Sequence, residues 1–87
     1  MTHPQKQKPH LNYPCRWVYK IIGVDQDKMQ DAVHEIIHDH PCRVFLSRRS
    51  ETAKYICLNV ELTVESESHR LALYGKLKAH PAIDVIL

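Results

Sequence analysis

Residues 15–22, Cys-Arg-Trp-Val-Tyr-Lys-Ile-Ile, are rich in aromatic and β-branched side chains, and their period of two predicts a strand that Gly23 ends. The alternation sends Trp17, Tyr19 and Ile21 to one face and Val18, Lys20 and Ile22 to the other, and Trp17 and Tyr19 are expected to be buried between sheet and helices. The pattern then changes. Met29, Ala32, Val33, Ile36 and Ile37 recur at i, i+3, i+4, i+7 and i+8, which predicts a helix over 25–39 with Asp25 or Asp27 as its cap. Pro41 is expected to stop it. A second strand is predicted over 42–49 and a turn at Ser50-Glu51-Thr52. A long third strand follows over 53–64, with Ile56, Leu58, Val60, Leu62 and Val64 on one side.

Ser66 or Ser68 can open a second helix that runs to about residue 79 on a stripe of Leu73, Tyr74 and Leu77, with the Arg70 stem beside it. Gly75 lies off the stripe, and His80-Pro81 ends this helix as His40-Pro41 ends the first. Residues 82–87 are predicted as the closing strand, with Ile83, Val85 and Leu87 on its apolar face and Ile86 on the other.

The order strand, helix, strand, strand, helix, strand predicts an α+β ferredoxin-like plait. This is a four-stranded antiparallel sheet with two helices on one face. Right-handed crossovers put strands one and three in the centre and strands two and four at the edges. Residues 1–12 are polar, contain Pro4 and Pro9 and show no period, so they are expected to be a disordered tail before a single domain at 13–87.

Composition narrows the function without naming it. Apolar residues at 44% and charged residues at 25% are those of a globular domain, and a net charge of +2 is too small to demand nucleic acid or an anionic membrane. No apolar run could span a bilayer, and the first residues have no h-region of a secretory signal. Cys15, Cys42 and Cys57 are odd in number and form no C-x-x-C pair, which points to free thiols in the reducing cytoplasm.

The one match to a catalytic pattern is His34-Glu35-Ile36-Ile37-His38, which fits H-E-x-x-H, two zinc ligands and a general base on one helix. On the helical wheel both histidines fall opposite the apolar stripe, on the side of Asp27 and Asp31. A zinc hydrolase must turn such histidines into a water-excluding cleft. The pair therefore reads as a solvated face, able at most to collect adventitious metal. His40 is expected to cap the first helix, and His38, His40 and Cys42 form only a weak soft-metal set. Cys57 should lie on the open sheet face with no histidine near it to make it a nucleophile.

YPCRWVYKIIG at 13–23, HEIIHDH at 34–40, LYGKL at 73–77 and IDVIL at 83–87 together resemble the YbeD-like family, also called uncharacterised protein family 0250. The resemblance runs from Tyr13 to Leu87 and implies the same plait, similar to the ACT-type regulatory domains that associate and bind small effectors. It implies no activity and no cofactor. This chain departs from the family in having no glycine in SRRSETAKY, between strands two and three, and in having His34 where the family tends to place an apolar residue.

The expected function is that of a regulatory binding module acting by association with a protein partner or with itself, or by sensing a small-molecule effector, without catalysis. Its surface is predicted to be the open sheet face, around Val18, Lys20, Ile22, Asn59 and Ile86, with Lys20 free to pair with Glu61 across the strands. Nucleic-acid binding is the alternative. It would use the basic residues Arg43, Arg48, Arg49 and Lys54, but only Tyr55 on that face could stack a base. Metal-dependent hydrolysis through His34 and His38 ranks last.

Overall fold

Alternation along two long strands sets the architecture. The computed structural model describes residues 12–48 and 54–87. In it, β1 (Cys15–Gly23) pairs antiparallel with β3 (Ile56–Val64) along their full lengths, from Cys15 opposite Val64 to Gly23 opposite Ile56. β2 (Cys42–Arg48) flanks β3 and β4 (Val85–Ile86) flanks β1, giving the sheet order β2-β3-β1-β4. The expected α+β plait, with β1 and β3 central, is the fold of this chain. The predicted turn at Ser50-Glu51-Thr52, Arg49, the side chain of Arg48 and residues 1–11 of the tail lie outside the described residues.

α1 (Gln26–Ile36) and α2 (Glu67–Ala79) pack on one face of the sheet. Asp25 caps α1 by accepting from the Lys28 amide at 3.1 Å, and Ser66 caps α2 by accepting from the His69 amide at 3.1 Å. Met29, Ala32 and Val33 from α1 and Leu73 and Leu77 from α2 meet Tyr19, Ile21, Leu58, Val60, Leu62 and Val64 from the sheet in one apolar core. Tyr74, expected on the α2 stripe, lies at its margin and is 37% exposed.

Three expectations need correction. α1 stops at Ile36, well before Pro41, because Ile37 leaves helical geometry (φ −110°, ψ 60°) while its side chain stays buried. A proline constrains only the residue before it. Here, carrying the chain toward β2 with Ile37 still in the core outweighs further helical turns. Trp17 faces the helices as predicted but is only half-buried, packed against the rim of the core rather than enclosed by it.

The third correction concerns β4, which is two residues long rather than six. Pro81 and Ala82 form a turn in which the Ile83 amide donates to the His80 carbonyl at 3.1 Å, and the chain bends at Asp84, whose amide donates to the Ile22 carbonyl of β1 at 2.8 Å. The bend breaks the two-residue alternation, so Ile83 and Ile86 both enter the core. Val85, 46% exposed, takes the open face in place of Ile86.

Candidate binding face

On the side of the sheet away from the helices, β1 presents Arg16, Val18, Lys20 and Ile22. β3 presents Cys57, Asn59, Glu61 and Thr63. β2 adds Arg43 and Phe45, and β4 adds Val85. The register sorts them into rows. Ile22 lies between Val85 and Cys57, Asn59 between Lys20 and Phe45, and Glu61 between Val18 and Arg43. Val18 is 42% exposed and Phe45 39%. Of the predicted residues, Val18, Lys20, Ile22 and Asn59 share this face, and Ile86 does not.

The electrostatics differ from expectation. Val18, not Lys20, stands opposite Glu61, and the carboxylate is taken by Arg16 at 3.0 Å and Arg43 at 3.5 Å. Glu61 is largely covered, whereas both arginines are exposed, so the bridge is a shared anchor under two solvent-facing cations. Lys20 makes no ion pair among the described residues. The Arg43 guanidinium lies 5.4 Å from the Phe45 ring centre. Asn59 Oδ1 is shielded from solvent with no hydrogen-bond partner among the described residues. A cavity of about 360 Å³ opens at the Arg16 end, bordered by Arg43, Glu61 and His40.

Phe45 was missed by sequence reasoning. In CRVFLSR nearly every residue but the arginines and serine is apolar, so only the pairing with Asn59 shows which way the ring points. Tyr55, 51% exposed, precedes β3 rather than lying within it.

The H-E-x-x-H residues are not assembled as that pattern requires. His34 is in the last turn of α1, His38 is beyond the helix, and both are exposed. Glu35 instead accepts from His80 Nε2 at 3.4 Å, while His80 Nδ1 accepts from the Ala82 amide at 3.0 Å. His40 does not cap α1. Its Nδ1 lies 3.1 Å from the Asp39 carboxylate and its Nε2 3.2 Å from that of Glu65, with the ring centre 4.5 Å from that of His69. Asp39 first, then Glu65, holds the His40 imidazole above its ordinary range, and the same hydrogen bond lowers Asp39. Burial pushes the Cys42 thiol up, away from the thiolate a metal needs. No group of three or more His, Cys, Asp or Glu among the described residues is arranged to hold a metal ion. No described helix is long and apolar enough to cross a membrane.

The element order, and a sheet face left uncovered by the described residues, define an α+β open-faced plait with helices on one side. Within that class the chain belongs to a family described as a protein of unknown function, DUF493, whose model matches residues 8–87. It is similar to a UPF0250 protein of Hahella chejuensis, 33% identical over 91 residues and 100% of both chains. It is also similar to an uncharacterised protein of Campylobacter jejuni, 32% identical over 74 residues and 85% of each chain. The solution structure of Protein HP0495 from Helicobacter pylori shares the fold, with a TM-score of 0.80 and 24% identity over 100% of this chain and 98% of that one.

Proposed function

We propose that this chain is a regulatory binding module of the cytoplasm that acts, without catalysis, by docking a protein partner on the open sheet face. The observation that carries the reading is a sheet surface with no helix over it among the described residues, where Val18, Ile22, Phe45 and Val85 interleave with Arg16, Lys20 and Arg43. Among the described residues Arg16, Lys20 and Arg43 outnumber the carboxylates of Glu61 and, at the Arg16 edge, Glu65, which leaves the face basic. Two copies packed face to face would oppose like charges, so an acidic partner fits better than self-association. Three free thiols suit a reducing compartment.

Nucleic acid is the second reading, favoured by Phe45 beside these cations. Base stacking in such folds uses open rings on the central strands. Phe45 is instead on an edge strand, next to the Arg43 guanidinium.

The test is Val18→Glu, which adds a charge to an exposed position without touching the core. The variant should fold like the native chain. In the native chain, amide-shift mapping against cytoplasmic extract should perturb Val18, Lys20 and Asn59, and the variant should lose those perturbations. Contacts confined to α1 and α2 would sink the proposal. Shifts produced by RNA, and abolished by ribonuclease, would favour the second reading.

A further inference from the structure

On the helix side of the sheet, at the rim of the core beside the N-terminal half of α2, Trp17 and Tyr19 of β1 meet Arg70, Leu71 and Tyr74 of α2 and Leu87 around a cavity of about 290 Å³. Arg70 is fixed there from three directions. Its Nε–H donates to the Tyr13 hydroxyl at 3.1 Å, and its guanidinium lies 4.6 Å from the Trp17 ring centre. Its backbone carbonyl accepts from the Tyr19 hydroxyl at 2.6 Å. The other guanidinium N–H groups have no hydrogen-bond or ion-pair partner among the described residues; Glu67, one turn back on α2, is not within ion-pairing distance. Around this fixed cation the wall is apolar and wet, with Leu71 51% and Leu87 68% exposed.

We propose that this cavity binds a small carboxylate with an apolar body, the carboxylate on the free edge of Arg70 and the body against Leu71, Tyr74 and Leu87. A guanidinium presents parallel N–H groups at the spacing of the two carboxylate oxygens, and its hold is strongest when the fork is already immobilised, as stacking on Trp17 and the Tyr13 hydrogen bond achieve here. Arg70 is the one charged side chain of the lining, and the first turn of α2 is not part of it, so these side chains complement a monoanion rather than a phosphate. The volume is at the foot of the range for ligand pockets, about 300–1,000 Å³, so the ligand is small. A free acid and the C-terminal residue of a peptide present the same chemistry. The site is separate from the open sheet face and does not depend on the docking role proposed for it.

The test uses the full chain, whose only tryptophan reports the site directly. Hexanoate, standing for a free acid, N-acetylleucine, standing for a peptide C-terminus, and neutral hexanamide are titrated while Trp17 fluorescence and the Trp17 indole N–H resonance are followed. At least one acid should give a saturable change, and hexanamide should bind about ten-fold more weakly or worse, the scale of a lost charge-assisted pair. Whichever acid binds more tightly identifies the source. Arg70→Met should weaken the acid by at least about ten-fold. Leu71→Asp, at an exposed position where the fold is safe, should do the same by repulsion. Equal binding of acid and amide, no saturable change with either acid, or undiminished binding in the Leu71→Asp variant would overturn the proposal.

Discussion

The chain has two glycines, and the structure assigns them opposite consequences when each is replaced by alanine. At Gly23, the last residue of β1, an added Cβ would lie 2.7 Å from the Ala82 carbonyl oxygen and 2.8 Å from Met29 Sδ. Met29 is fully buried, and the Ala82 oxygen is backbone in the turn between α2 and β4, so neither can swing away freely. Overpacking of this kind costs about 1–3 kcal/mol, and the smaller entropy of the unfolded alanine chain returns about 0.4–1. Gly23→Ala should therefore destabilise by about 1–2 kcal/mol. At Gly75, inside α2, nothing lies within 4 Å of the added Cβ. Alanine there should stabilise by about 0.5–1 kcal/mol through helix propensity. For a domain of this size each kcal/mol moves Tm by about 4–8 °C, which predicts a fall of about 4–16 °C for Gly23→Ala and a rise of about 2–8 °C for Gly75→Ala. Thermal melts followed by circular dichroism, with urea titrations to fix the free energies, would measure both. A Gly23→Ala variant as stable as the native chain would refute the close approach of the α2–β4 turn to β1. A Gly75→Ala variant that loses stability would refute the open surroundings of that position.

Replacing both His34 and His38 with alanine should change stability by no more than about 0.5 kcal/mol, and chelator should leave the melt unmoved; a large loss in either case would mean that the two exposed rings hold something. Trp17→Ala should cost less than the 3–5 kcal/mol of an enclosed aromatic residue, about 1–3, because the ring is half-buried at the rim; acrylamide should quench its fluorescence partially, and full protection would contradict the rim position. Tyr19→Phe removes the hydroxyl that donates to the Arg70 carbonyl and should destabilise by about 1–2 kcal/mol. Burial pushes the Tyr19 phenol up to about 12, so the native chain keeps a proton that the unfolded chain releases near its ordinary value of about 10. That contribution is complete below pH 10 and is lost as pH rises through 12, and alkaline unfolding of Tyr19→Phe should show a shallower decline over this window.

The elements legible in the sequence are those built from neighbours along the chain. The period-two run in β3 and the spacing of Met29, Ala32 and Val33 have the structural meaning their patterns imply, because a strand or helix face is a property of local backbone geometry. Asp25 and Ser66 cap their helices for the same reason, through amides three residues away. Val18, Lys20, Ile22 and Asn59 follow onto the open face once Tyr19, Ile21, Leu58 and Val60 are taken as core. The failures begin where a residue's surroundings come from distant chain. Ile86 and Val85 exchange faces because a bend at Asp84 and pairing with β1 set the β4 register, and Phe45 faces outward through its pairing with Asn59. Glu61 goes to Arg16 and Arg43, residues 45 and 18 positions away, and Arg70 settles over Trp17 with its Nε on Tyr13, 57 positions away. Such contacts carry no periodic signal, since side-chain reach and strand register, not sequence spacing, bring the partners together.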